Sequence, residues 1–443
     1  MNFPHGASCN SMITSLDTDT RAAVFGYGVE GRSTVAWLRR SGLRDVRVIS
    51  AERPAGTDAE FDWAAEAGID VALDGVELLI KSPGIRPAHP LLAAARARGV
   101  PTTSATVLFV ERARAAGLAV IGVTGSKGKS TTATLIAKTL EAASIPVVLV
   151  GNIGRAALDV LEEVVSNRPV IVFEMSSYQT ADLTIGPSVA VVTRLFPEHL
   201  DWHGGVEAYY RAKLRIATSQ RPDDVTIWNM SDPELARRAP LGPARHIGYG
   251  TGRLRFSDEK MLLRGPHNRL NAAAALSAAE LFGALPAHLE SVLASFTGLP
   301  HRLEDIGIRR GIRWVNDSIA TAPEAAVAAL DAYGLDVATY IGGGTDRGFD
   351  FTPLARALIA RAVPNVILLP PGGPAIHAAL AAIDPASASR ARVVSDLAEA
   401  VAVAAAVTPE GSTVLFSPAS PSYGVYANFE ERGSLFRKLV DAL

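Results

Sequence analysis

The residues able to do chemistry cluster in a few short segments. Thr124-Gly125-Ser126-Lys127-Gly128-Lys129-Ser130-Thr131 follows an apolar run and precedes an Ala/Leu-rich stretch. Glycines that leave a strand and open a helix let backbone N–H groups face phosphate oxygens, and the helix N-terminus adds partial positive charge. In such a loop Lys129 meets the outer phosphates, and Ser130 or Thr131 offers a hydroxyl to Mg²⁺. The strict G-x-x-x-x-G-K-[ST] pattern misses by one position, because Val123 stands where its first glycine belongs. The bland alternative is a tight strand-to-helix turn with an exposed lysine. Glu174, closing another apolar run, is placed to be an oxygen ligand of Mg²⁺ or to cap the helix after it. Residues 196–204 pack Glu198, His199, Asp201 and His203 into one loop, which suits a structural or zinc-like role as readily as a magnesium one. Asn268 and Asn271, three apart at a helix start, share a face that could hold adenine or simply cap the helix. Gly26-Tyr27-Gly28-Val29-Glu30-Gly31 is a G-x-G-x-x-G after a strand, a pattern that also suits a dinucleotide. Ser50, however, stands where an acid would end the next strand of such a site.

These segments need a scaffold. Short β-branched runs alternate with helix-period stretches nearly from end to end, the sign of βαβ units and mainly parallel sheets. Strands are expected at 22–25, 46–49 and 78–80, then at 118–123, 147–150, 170–173 and 189–192. A third set is expected at 312–315, 339–341, 366–369, 393–394 and 413–416. Helices are expected from about Thr34, over 91–98 and 107–116, and over 130–143 and 271–285. The fold class is therefore α/β with three domains, since 443 residues exceed a single hydrophobic core. Residues 1–20 read as a tail, 21–107 as a Rossmann-like domain, 108–299 as a central P-loop ATPase domain and 300–443 as a second Rossmann-like domain. Lys+Arg at 43 nearly balances Asp+Glu at 45, so no global field holds nucleic acid or an anionic membrane. Cys9 is the only cysteine, which excludes an intramolecular disulfide and a zinc site of several thiolates and suits a reducing cytoplasm. The polar start is unlike a signal peptide, and no run reaches the ~18 apolar residues of a membrane span.

The variant spacing of the phosphate loop resembles that of the Mur ligases and folylpolyglutamate synthetases, which join an amino acid to a carboxylate through an acyl phosphate. Those enzymes usually carry Asn where Lys127 stands, so one more positive charge is expected toward the nucleotide. Glu174-Met175-Ser176-Ser177-Tyr178-Gln179 and Pro197-Glu198-His199-Leu200-Asp201-Trp202-His203 resemble two further family elements. The likeness implies that Ser130, Glu174 and His199 bind Mg²⁺. It also implies a carbamylated Lys213, an anionic oxygen donor at the same metal, and makes Lys129, His199 and Lys213 the catalytic set. Arg194 replaces the usual Asn after the 189–192 strand. Gly265-Pro266-His267-Asn268-Arg269-Leu270-Asn271 resembles the family's adenine element, and Arg302 the arginine placed on nucleotide phosphates. With Gly125 to Thr131 and Asp317 these complete the implied ATP contacts.

The first and third regions resemble the glutamate-adding branch of the Mur ligases. Gly28, Val29 and Glu30, with Ser82-Pro83-Gly84, Asn152, Ser176 and Gln179, would then bind UDP-N-acetylmuramoyl-L-alanine. Asn316-Asp317-Ser318-Ile319-Ala320-Thr321, the glycine turn with Arg347, and the closing segment with Ser422 and Phe429 would hold glutamate. Ile319 and Arg347 stand where that branch has lysines. A planar guanidinium clamps a carboxylate differently from an ammonium, and the resemblance favours the variant that attaches L-glutamate. A cytoplasmic, monomeric ATP- and Mg²⁺-dependent amide ligase, closing its domains around small-molecule substrates and binding neither nucleic acid nor membrane, is what the likeness implies.

Overall fold

The computed structural model describes residues 18–51, 53, 62–250, 252, 254–263 and 265–443; most of the expected tail lies outside the described residues. Three sheets carry the fold. The first has the order Asp62–Ala65, Val46–Ser50, Ala22–Phe25, Leu78–Lys81, Thr102–Ser104, parallel throughout. Strand order reverses between Ala22–Phe25 and Leu78–Lys81, and a crevice opens at such a reversal beyond the carboxyl ends of the strands. The turns 26–31 and 82–84 leave those two strands. The second sheet runs Arg245–Tyr249, Val225–Asn229, Val189–Val192, Val120–Thr124, Val170–Glu174, Val147–Gly151, again all parallel. In the third, Glu304–Arg309 pairs antiparallel with Ile312–Asn316. Thr413–Phe416, Val337–Gly343, Asn365–Leu369 and Ala391–Val393 follow in parallel.

The expected strands are all present within a residue or two. Those the sequence reading lacked are Asp62–Ala65, Thr102–Ser104, Val225–Asn229, Arg245–Tyr249 and Glu304–Arg309. All but Val225–Asn229 are sheet edges, where one side lacks a neighbour and the apolar run that betrays a central parallel strand is not required. Ala22–Phe25 and Val189–Val192 are by contrast buried at every position.

The chain divides into two compact units, one holding the described residues to 260 with 266–292, the other 261–265 with 293–443. The first two expected domains thus share a unit. One apolar core contains Val24, Val48 and Leu108 together with Val150, Leu158 and Phe173. Ser33 Oγ donates to Asp159 Oδ1 at 2.7 Å, and Arg40 Nη2 to Leu158 O at 3.2 Å. Helix Ala105–Ala115 runs through the expected boundary at 107 and buries Leu108, Phe109 and Val110 in that core. The second unit has its own apolar clusters on the two faces of the third sheet.

Candidate active site

Strand Val120–Thr124 delivers the chain into the phosphate-type loop, and helix Lys129–Ala142 leaves it. Gly125 and Gly128 have φ of +148° and +90°, values that side-chain-bearing residues rarely adopt. Gly128 is the N-cap and provides no side-chain bond to the helix start, so the first N–H groups remain for a ligand. Lys129 Nζ folds back over the loop, donating to Gly125 O at 3.0 Å and Ser126 O at 3.1 Å. Ser126 turns inward: its hydroxyl donates to Phe196 O at 2.7 Å and lies 2.9 Å from the Tyr209 hydroxyl. Thr131 is buried on the helix. Ser130 Oγ donates to Glu174 Oε1 at 3.1 Å, both residues being buried. Glu174 ends the neighbouring strand, Val170–Glu174, which is why residues 44 apart in sequence meet.

Lys213 enters from helix Val206–Thr218. It is 2% exposed, donates to Gly125 O at 2.7 Å and lies 5.0 Å from the centre of the Tyr209 ring. Burial first, then the charge of Lys129, holds its pKa well below the usual lysine value, favouring the neutral amine. His199 sits at φ +53°, a left-handed conformation that a non-glycine residue holds only where its surroundings enforce it. Burial lowers its pKa, and that of His203 falls to about 4, again chiefly through burial. Both imidazoles are therefore neutral near pH 7, as a metal ligand must be.

A cavity of about 500 Å³ joins this loop to the first sheet's turns. Gly28, Val29, Glu30, Ser82, Pro83 and Gly84 line it with Lys129, Asn152, Ser176, His199 and Lys213. Gly28 caps helix Val29–Arg40 without a side-chain bond, the same open helix start as at Gly128. Half-buried Glu30 accepts from Gln179 Nε2 at 2.7 Å, and burial pushes its carboxyl up to about 7. Beside it Lys81 and Asp182 form an ion pair at 2.5 Å. Gln179 is also the far half of a capping box with Ser176, so its side chain is spent on protein partners. Trp202 Nε1 donates to Gly84 O at 2.9 Å, tying the 196–204 loop to the first sheet's turn.

Lys127 reaches Glu198 Oε1 at 2.8 Å while 63% exposed, so its extra charge is shared with a carboxylate. Arg194 contributes its backbone, accepting from Ser126 N at 2.6 Å; its guanidinium is 3.9 Å from Asp232. Asn271 Nδ2 donates to Asn268 Oδ1 at 3.0 Å, and Thr132 Oγ1 to Asn271 Oδ1 at 3.4 Å, which sets Asn271, on helix Pro266–Ala279, against the phosphate-loop helix. Sequence reasoning did not nominate Tyr178, Thr193 or Tyr209. Tyr178 lines the cavity with Glu198, Thr193 Oγ1 donates to Lys127 O at 2.7 Å, and Tyr209 precedes Lys213 by one helical turn, a spacing that could have flagged it.

The remaining nominated residues lie in the second unit. Arg302 is half-buried. Asp317 accepts from Leu303 N at 3.1 Å and Ser417 Oγ at 2.7 Å, and burial lifts its carboxyl to about 7. Thr321 and Phe429 are half-buried, Ser422 is buried and Arg347 exposed; Thr321, Arg347 and Ser422 lie in loops beyond the carboxyl ends of the third sheet's parallel strands, and Phe429 opens helix Phe429–Asp441. Ile319 N donates to His301 O at 3.0 Å.

The donors fit Mg²⁺. The buried Ser130–Glu174 pair offers hard oxygens at a phosphate-type loop, and Mg²⁺ takes few protein ligands, completing its shell with water and phosphate. Among the described residues no group of three or more His, Cys, Asp or Glu is arranged to hold a metal, so the closed site a structural zinc needs is not formed there.

The Mur ligase middle domain matches residues 123–279, and the Mur ligase glutamate ligase domain matches residues 301–420. The chain is 38% identical to a UDP-N-acetylmuramoyl-L-alanine–L-glutamate ligase of Salinispora tropica, over 95% of this chain and 97% of the relative. It is 37% identical to a UDP-N-acetylmuramoylalanine–D-glutamate ligase of Symbiobacterium thermophilum, over 97% of this chain and all of the relative. Among solved structures, the UDP-N-acetylmuramate–alanine ligase of Thermotoga maritima superposes with a TM-score of 0.59 at 18% identity, covering 95% of this chain and 99% of that one. A MurF ligase from the same organism, solved with ADP, gives 0.58 at 17% identity, covering 97% of each chain. With its phosphate loop, both matched domains and full-length relatives in accord, the chain belongs to the Mur ligase family.

Proposed function

We propose that this protein joins glutamate to UDP-N-acetylmuramoyl-L-alanine at the expense of ATP, as a cytoplasmic monomer. The γ-phosphoryl group moves to the terminal carboxylate of the nucleotide substrate, and ADP leaves. Glutamate's amine then attacks the acyl carbon, its C–O bond to phosphate breaks, a proton leaves the amine, and inorganic phosphate is released. Phosphoryl transfer asks for positioning and charge neutralisation more than for a covalent protein group. Lys129 orients the outer phosphates, while Gly125 to Thr131 provide backbone N–H donors and Asn268 and Asn271 hold adenine. Arg302 and Asp317 complete the nucleotide contacts. Ser130, Glu174, His199 and a carbamylated Lys213 would hold Mg²⁺, which when bound neutralises charge on the phosphates. A buried, neutral Lys213 amine has the form that adds to CO₂, losing a proton to give the carbamate.

The observation that carries this reading is the single cavity shared by Lys129, Lys213 and the 26–31 and 82–84 turns: it lets a substrate bound at the first sheet present its carboxylate to the phosphate loop. Gly28, Val29, Glu30, Ser82, Pro83, Gly84, Asn152, Ser176 and Gln179 form the nucleotide-substrate side. Thr321, Arg347, Ser422 and Phe429 take the amino acid, and Ile319 and Arg347 in place of lysines support the L-isomer. The D-isomer is the second reading, since a D-glutamate ligase is about as similar as the L-glutamate ones. The test is ADP release with UDP-N-acetylmuramoyl-L-alanine and each glutamate isomer offered separately. Turnover with L-glutamate is expected; turnover with a folate in its place would overturn the substrate assignment.

A further inference from the structure

Arg432, on helix Phe429–Asp441, is 0% exposed. A guanidinium withdrawn from water ordinarily pairs with a carboxylate, because an uncompensated buried charge is costly. Here every partner is uncharged: Nε donates to Ser318 Oγ at 3.1 Å, Nη1 to Ser420 O at 3.0 Å and Nη2 to Ser318 O at 2.8 Å. Burial depresses its pKa only to about 10, so the group stays cationic. Gly344 makes room for it: a Cβ there would stand 2.9 Å from Nη1.

Ser318, Ser420 and Gly344 belong to three loops leaving strands that are neighbours in the third sheet, Ile312–Asn316, Thr413–Phe416 and Val337–Gly343. One guanidinium therefore spans the edge where an α/β sheet gathers its ligands. The hydroxyl of Ser420, itself 0% exposed, has no hydrogen-bond partner, so an unsatisfied polar group stands beside the uncompensated charge. The same loops carry Thr321, Arg347 and Ser422.

Resting on the reading that those residues take glutamate, we propose that Arg432 is a specificity-determining positioning residue. It holds the three loops in register and gives the amino-acid pocket a fixed positive potential that selects a second carboxylate over its amide. It does so without touching the amino acid. In a low-dielectric interior an unneutralised charge acts over several ångströms, and here it supplies charge that Ile319 cannot.

The test compares the parent with Arg432→Met and Arg432→Lys, reading kcat/KM for glutamate against glutamine and KM for each substrate. Arg432→Met should lower the glutamate-to-glutamine ratio by about tenfold or more and raise the glutamate KM, with KM for ATP and the nucleotide substrate within about threefold. Arg432→Lys, which keeps the charge but loses the fork, should keep the ratio within about threefold while kcat falls. An unchanged ratio in Arg432→Met overturns the inference. If that variant does not fold, a ratio lost in folded Arg432→Lys overturns it. A parent that ligates no glutamate instead strikes the functional reading itself.

Discussion

Two glycine-rich turns stand at corresponding places in two parallel sheets of one compact unit, and they carry opposite charge. Each leaves a buried strand, each opens a helix whose N-cap glycine forms no side-chain bond, and both line one cavity. The backbone of both is suited to an anion. Around the 125–131 turn, however, the cations Lys127 and Lys129 stand, whereas the 26–31 turn carries Glu30, clasped by Gln179 beside the Lys81–Asp182 pair. Backbone geometry thus says that phosphate is welcome at both, and side-chain charge says that only one is equipped to neutralise a phosphoryl group in transfer. The Glu30 turn is fitted to hold, the lysine turn to react.

That contrast can be broken in order of expected effect. Lys129→Ala should reduce ATP-dependent amide formation on the order of 10³-fold in an ADP-release assay, because it removes a preorganised cation from developing charge. Activity near the parent's would erase the distinction. Lys213→Met should cost about 10²-fold in kcat, and isotope-labelled bicarbonate should label the parent but not the variant; a parent that takes up no label would sink the carbamate.

Glu30→Gln should act on stability instead. Burial raises this carboxyl from 4.5 to about 7, so the folded state binds a proton more tightly than the unfolded one. The stabilisation from that proton is complete below about pH 4.5 and lost as pH rises through about 7. A glutamine never ionises, so the variant should gain on the parent across that window. The shift sets a ceiling near 3 kcal/mol, discounted for partial exposure to about 1–2 kcal/mol, read from denaturant midpoints at pH 5 and pH 8. A pH-independent difference would refute the assignment. Lys127→Asn should matter least. Its exposed pair with Glu198 contributes at most about 1 kcal/mol, and the KM for ATP should move less than about threefold; a large loss would mean that Lys127 meets the nucleotide.

Much of the site was legible because its parts are contiguous. The loop from Gly125 to Thr131, the Glu174 strand end and the 196–204 loop each carry their chemistry in a few adjacent residues. Central strands such as Val189–Val192 were read to the residue because burial on both faces demands an unbroken apolar run. Edge strands such as Arg245–Tyr249 and Glu304–Arg309 lack that demand and were missed. The contact of Ser33 with Asp159 and the core shared by the first two sheets were not legible either, because they join segments distant along the chain.

What the sequence determined alone is the class of chemistry: which loop has the backbone to face phosphate, which residue types could hold Mg²⁺ and which family the motifs resemble. Those follow from local backbone rules and short spacings. What only the tertiary structure decided is the electrical state of those groups. That Lys213 is buried against Gly125, that Glu30 is held by Gln179, and that Arg432 meets only uncharged oxygens are relations between residues 88, 149 and up to 114 apart. Charge in a protein is set by what surrounds it in space, and no spacing along the chain encodes that directly.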